Sequence, residues 1–146
     1  MGGTRRVDTE DRLPPRVLLV DDETVYCATM AKVLRARGLQ VRTASSGAEA
    51  LDVIAGEAID VVVLDLKMPG LDGLATLRRL REVAPRVPVI ILTGHGTVAA
   101  GLDAMADLAF DFLLKPASVD SLLKVILAAV EAMRAASFPA ASHPKG

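Results

Sequence analysis

A chain of 146 residues with a formal net charge of −1 has no charge-driven case for nucleic acid or an anionic membrane as partner. Hydrophobic residues make up 51% and charged residues 24%, an ordinary globular balance, while aromatics are only 3%, so a core must be built from Val, Leu, Ile and Ala. No apolar run approaches the ~20 residues of a membrane span, and no apolar stretch follows the arginines of MGGTRRVDTEDRLPP, which excludes a secretory signal. Cys27 stands alone, which fits a cytoplasmic chain without disulfides.

Residues 1–15 are polar and end in Pro14-Pro15, and read as a flexible leader. The segment Arg16–Val20 is a short aliphatic strand that runs into Asp21-Asp22-Glu23. A helix is expected from Thr24 to Arg37, stopped by Gly38. LQVRTA is a second strand with alternating sides. Ser45 or Ser46 caps the next helix, with Glu49 three residues after Ser46 as in a capping box. That helix carries Ala50, Leu51 and Ile54 and ends near Gly56.

Ile59–Asp65 is aliphatic enough for a strand buried on both faces. The loop LKMPGLDG follows, and a helix begins near Asp72. Val87–Thr93 is the fourth strand, ending at Gly94-His95-Gly96. A helix from Thr97 to Asp107 leads to the fifth strand, FDFLL, which Lys115-Pro116 closes. The final helix spans Ser118–Ala136, with Val119, Leu122, Leu123, Ile126, Leu127, Val130 and Met133 as its packing stripe. Residues 137–146 read as a frayed tail, so the folded domain is expected over 16–136.

Five strands alternate with five helices, and right-handed crossovers make the sheet parallel with helices on both faces. The expected fold is α/β, a flavodoxin-like three-layer α/β/α with a five-stranded parallel sheet in the order 2-1-3-4-5. In such sheets the ligand sits beyond the carboxyl ends of the strands, where the strand order reverses. Those ends carry Asp21-Asp22, Asp65, Thr93 and Lys115. Clustered carboxylates repel one another unless a cation sits among them, and an all-oxygen donor set suits Mg²⁺. A carboxylate beside Mg²⁺ can attack a phosphoryl group and become an acyl phosphate, with Lys115 neutralising charge on the transferring oxygens and Thr93 donating a hydrogen bond to one of them. Taken singly, each residue has a plainer reading, as a helix cap, a turn residue or a solvated lysine.

LLVDDE, VVVLDLKMPGLDG, VIILTGHG and DFLLKP, in this order and each at the end of an expected strand, resemble the response-regulator receiver domain of two-component systems. The resemblance covers residues 16–136. It implies that Asp65 is the phosphoacceptor, that Asp22 binds Mg²⁺ directly and Asp21 directly or through water, and that the Lys67 backbone carbonyl is a further ligand. It implies that Thr93 is the switch hydroxyl, Phe112 the switch aromatic, and Lys115 the partner of the phosphoryl group, with a Lys115–Pro116 bond that is often cis. Phe112 can equally be a plain core aromatic, since Phe110 is close by. Gly94 leaves room above the acyl phosphate, while Lys67 and His95 stand at positions that tune its lifetime. Where the family often has Gly before the last strand, this chain has Leu108, which suggests an altered helix end.

The implied partners are a sensor histidine kinase or phosphotransfer protein as donor and a downstream target protein, with no direct nucleic-acid or membrane binding. The resemblance implies a switch that catalyses only its own phosphorylation and dephosphorylation. No effector module is legible after the last helix. A phosphorelay shuttle, or a receiver belonging to a longer regulator or hybrid kinase, stays open beside this reading. A haloacid-dehalogenase-like phosphatase would have a second Asp at the position of Lys67, and a flavodoxin-like cofactor binder would need a glycine loop after the first strand. Ala99, Ala100, Ala104 and Ala106 on the fourth helix and Val125, Ala128, Ala129 and Ala132 on the fifth lie off the expected packing stripes. They are a candidate homodimer surface, or alanines chosen as good helix formers.

Overall fold

The computed structural model describes residues 13–67, 73–94 and 107–136. Five parallel strands, β1 (Arg16–Val20), β2 (Gln40–Ala44), β3 (Val61–Leu64), β4 (Val89–Thr93) and β5 (Asp111–Leu114), form one sheet in the order β2-β1-β3-β4-β5. Four helices are described: α1 (Thr24–Ala36), α2 (Gly47–Gly56), α3 (Gly73–Val83) and α4 (Val119–Ala136). The helix expected from Thr97 to Asp107, with its alanines, lies outside the described residues except for Asp107, which is in a turn, and the leader to residue 12 and the segment 137–146 lie outside them too. This is the expected fold and strand order. None of the described helices is long and apolar enough to cross a membrane.

Side chains alternate along the central strands, so odd and even positions build two separate cores. Val17, Leu19, Val61, Val63, Ile90 and Leu92 meet α1 and α4 on one face. Leu18, Val20, Val62, Leu64, Val89 and Ile91 meet α2 and α3 on the other. The strands β1, β3 and β4 therefore need aliphatic residues at almost every position, which is the pattern the sequence has. The edge strand β2 keeps the expected alternation only in part. Val41 and Ala44 are buried, while both Arg42 and Thr43 are exposed.

α1 ends as its sequence suggested. Gly38 has φ +97, its N–H donates to the Arg35 carbonyl at 3.0 Å, and the Leu39 N–H donates to the Leu34 carbonyl at 3.2 Å. This is a Schellman closure with Leu34 and Leu39 buried together. α2 is capped by Ser46, whose Oγ accepts the Glu49 N–H at 3.1 Å. The return arm differs from a standard capping box, because the Glu49 carboxylate accepts from the N–H and hydroxyl of Ser45, at 2.8 and 3.0 Å, and not from the N–H of Ser46.

Two expectations for the last helix are corrected. α4 buries Leu122, Ile126, Ala129 and Val130, with Val119, Leu123, Val125 and Met133 half-buried beside them. Leu127, expected on the stripe, is 46% exposed, and Ala129, expected on the outward patch, is fully buried. At 100° per residue the stripe through Leu122, Ile126 and Val130 runs over Ala129 and leaves Leu127 on the flank. The small Ala129 lets α4 lie close to the sheet. Among the described residues of the candidate patch, only Ala128 and Ala132 are exposed. Before β5, Leu108 packs half-buried on the second core, and among the described residues only Gly38 has a positive φ, so the chain makes no left-handed cap there.

Candidate functional site

Backbone hydrogen bonds carry the sheet one residue past its strands and fix the residues that follow. The Asp21 N–H donates to the Ala44 carbonyl at 3.0 Å, the Asp65 N–H to Val20 at 3.0 Å, and the Lys115 N–H to Thr93 at 2.9 Å. Asp21 and Asp65 thus leave the sheet rim side by side at the switch between β1 and β3, and Lys115 leaves it at β5, from which its side chain reaches back to both. The Lys115–Pro116 peptide bond is cis, as the resemblance implied.

Both buried aspartates are oriented by the same local device. Asp21 Oδ1 accepts the Glu23 N–H at 2.9 Å, and Asp65 Oδ1 accepts the Lys67 N–H at 3.0 Å. In each case the carboxylate binds the amide two residues on, an Asx turn. Thr93 Oγ1 adds a donor to Asp65 Oδ1 at 2.7 Å in a fully buried position. The other oxygen of each carboxylate turns toward Lys115, whose Nζ lies 2.7 Å from Asp21 Oδ2 and 3.2 Å from Asp65 Oδ2. Asp22 is exposed, and carboxylate oxygens of Asp21, Asp22 and Asp65 lie within 4.8 Å of one another.

The site is therefore rich in negative charge, with Asp21, Asp65 and Thr93 buried and Asp22 and Glu23 exposed. Burial raises the Asp21 carboxyl above its ordinary range, against the lowering effect of Lys115 and of the Glu23 amide. Lys115 is held firmly protonated: hydrogen bonds and charge from the carboxylates outweigh the burial that would lower it. The site holds four carboxyl groups, Asp21, Asp22, Glu23 and Asp65, and three of them, all but Asp22, contact the ammonium of Lys115. Hard oxygen donors this close, with surplus negative charge, are the donor set a Mg²⁺ ion takes. Asp21, Asp22 and Asp65 fit that ion.

The sequence-derived residues Asp21, Asp22, Asp65, Thr93 and Lys115 meet at this rim. Lys67 reaches Asp65 through its amide. Phe112 is half-buried against the second core, opposite Ile91, while Phe110 is 42% exposed. Met68–Gly70 and His95 lie outside the described residues. Three residues were given no role in the sequence reading. Glu23 Oε1 lies 2.7 Å from Lys115 Nζ, and the Tyr26 ring stands 4.5 Å from the same nitrogen, a cation–π contact. Gly73 donates its N–H to the Leu66 carbonyl at 3.2 Å and so closes the acceptor loop. Of these, only the Asp72-Gly73 pair at a helix start carried a signal.

The family model for the response regulator receiver domain matches residues 17–127. Among curated proteins, the response regulator MprA of Mycolicibacterium vanbaalenii is 42% identical over 114 residues, 76% of this chain and 48% of that protein. The DNA-binding transcriptional regulator NtrC of Escherichia coli is 36% identical over 114 residues, 78% of this chain and 24% of that protein. The chain thus spans about a quarter to about half the length of these relatives. Among solved structures, a response regulator receiver domain protein from Clostridium thermocellum superposes with a TM-score of 0.78 at 36% identity, covering 83% of this chain and 98% of that one. The receiver domain of NtrX from Brucella abortus does so with a TM-score of 0.73 at 36% identity, covering 79% and 98%.

Proposed function

The chain belongs to the response-regulator receiver domain family of two-component systems, and on that premise we propose that Asp65 accepts a phosphoryl group and thereby switches a partner-binding surface. The observation that carries this reading is the convergence on one carboxylate: Lys115 Nζ, Thr93 Oγ1 and the Lys67 amide all contact Asp65, with Asp21 and Asp22 beside it.

Asp65 Oδ2, which faces Lys115, is the nucleophile in this scheme. It forms the new O–P bond as the donor's P–N bond breaks, and the leaving imidazole of a sensor kinase or phosphotransfer protein keeps the electron pair and takes up a proton. Asp21, Asp22, Asp65 and the Lys67 carbonyl would hold a Mg²⁺ ion, which when bound would neutralise charge on the transferring oxygens. Lys115 pairs with one of those oxygens. Esterified Asp65 is a weaker acceptor than the carboxylate, so the Thr93 hydroxyl turns from Oδ1 to the phosphoryl group. Phe112, half-buried two residues along from the strand position beside Thr93, is the aromatic that follows it inward.

The protein in this reading turns over no external substrate, acts in the cytoplasm, and passes its state to a downstream protein. The relatives MprA and NtrC are longer, and the second of them is named as DNA-binding. A receiver working within a longer regulator is therefore the alternative, with a phosphorelay shuttle beside it. Intact mass after incubation with phosphoramidate tests the scheme. A Mg²⁺-dependent gain of one phosphoryl group, absent in Asp65→Ala, is the expected result; an equal gain in the variant would remove Asp65 from its role.

A further inference from the structure

An ammonium group has three N–H donors. Those of Lys115 face three carboxylates, with Asp21 Oδ2 at 2.7 Å, Glu23 Oε1 at 2.7 Å and Asp65 Oδ2 at 3.2 Å, and the Tyr26 ring lies against the same nitrogen. A phosphoryl oxygen can reach Lys115 only by displacing one of them. The Asp65 contact is given up only as Oδ2 becomes an ester oxygen, so it still occupies a donor of Lys115 while the phosphoryl group approaches. Asp21 is buried and pinned through its Asx turn. Glu23 is the contact that remains, and its side chain is 61% exposed.

A second observation concerns the same residue. Glu23 occupies the N-cap of α1 but makes no side-chain cap hydrogen bond. N-cap positions favour Ser, Thr, Asp or Asn, whose short side chains reach the free amides of the first turn. Here the longer carboxylate leaves those amides and goes to Lys115, across 92 residues of sequence.

Resting on the function proposed above, we infer that Glu23 is a positioning residue: it restrains Lys115 as a competing anion until the phosphoryl group displaces it. The Tyr26 ring is the platform that keeps the ammonium in place during the exchange. A restraint acts on the unphosphorylated protein. Its removal speeds phosphoryl gain and leaves phosphoryl loss nearly unchanged, because Lys115 already serves the phosphoryl group in the state that loses it.

Tyr26 supplies the second readout. It is the only tyrosine and the chain has no tryptophan, so ultraviolet emission reports on the ring beneath Lys115. Wild type and Glu23→Gln are compared with Mg²⁺ present, in phosphorylation by phosphoramidate and in binding of inorganic phosphate followed by Tyr26 emission. The variant is expected to gain the phosphoryl group about threefold to tenfold faster and to bind phosphate tighter by a similar factor, both differences shrinking at high salt. Its rate of phosphoryl loss stays within about twofold of wild type. Equal rates and equal phosphate affinities, or a variant slower in phosphoryl gain, would overturn the restraint. A wild type that takes no phosphoryl group, with phosphate still binding tighter to Glu23→Gln, sinks the phosphoacceptor reading and supports the restraint. The same wild type with equal phosphate affinities sinks both.

Discussion

Replacing Gly73 by alanine separates backbone crowding from helix propensity. Gly73 is the first residue of α3, and a Cβ built on it would meet the Leu66 backbone, 2.5 Å from the carbonyl oxygen and closer still to the Cα. The obstacle is backbone on a buried residue, so no flexible side chain can swing aside. The helix must move away from Leu66, or Leu66 must move with its neighbours Asp65 and Lys67. Forcing one extra carbon into such a site costs about 1–3 kcal/mol, against which the helix preference of alanine offsets at most about 1 kcal/mol. Gly56 is the control. It ends α2, has no atom within 4 Å of an added Cβ, and does not have a positive φ. Gly56→Ala is expected to be neutral or to stabilise by up to about 1 kcal/mol. Urea and thermal unfolding followed by far-ultraviolet circular dichroism compare the two. Gly73→Ala should lower Tm by roughly 3–10 °C while Gly56→Ala leaves it unchanged or raises it. A Gly73→Ala protein as stable as Gly56→Ala would refute the close approach of α3 to the acceptor loop.

Ile126→Ala is expected to cost about 2–5 kcal/mol and Leu127→Ala less than about 1 kcal/mol, since only the first side chain is fully buried; equal losses in denaturant unfolding would return Leu127 to the packing stripe. Burial raises the Asp21 carboxyl, so in metal-free protein its contribution to stability is complete below the unfolded value of 3.8 and is lost as pH rises through the folded value. A bound divalent cation reverses this: Mg²⁺ at a hundredfold its Kd should stabilise the protein by about 2.7 kcal/mol at neutral pH. That gain should fade on acidification and be lost in Asp22→Asn, and calorimetry that finds it unchanged in the variant would contradict the metal assignment. Burial also pushes the Cys27 thiol up to about 11, so iodoacetamide at pH 8 should spare the native chain and label it in denaturant. The stability contribution of that thiol is complete below 9.0 and lost as pH rises toward 11.

The sheet was legible because burial on both faces leaves β1, β3 and β4 no choice but aliphatic residues, and the βαβ rule then orders the strands. The rim followed from the same logic, since any polar residue directly after such a strand sits at its carboxyl end. Gly38 was legible because one residue type serves a left-handed cap. Glu23 and Tyr26 were not, because their link to Lys115 joins the first helix to the fifth strand and leaves no local pattern. A Glu in an acidic turn reads as solvated. Leu127 and Ala129 were exchanged because hydrophobicity alone assigns Leu inward and Ala outward, whereas helix angle and close approach to the sheet decide the opposite. The capping box slipped by one residue because Ser45 and Ser46 offer equivalent amides, and only the backbone path into α2 selects between them.

The central claim is that the phosphoryl group is carried on Asp65. Reducing the phosphorylated protein with borohydride converts an acyl phosphate to an alcohol, so peptide mapping after Mg²⁺ and phosphoramidate treatment reads the acceptor directly. The account predicts homoserine at position 65 alone, formed only with Mg²⁺. Homoserine at position 21 or 22, or phosphate retained on a histidine, would contradict it.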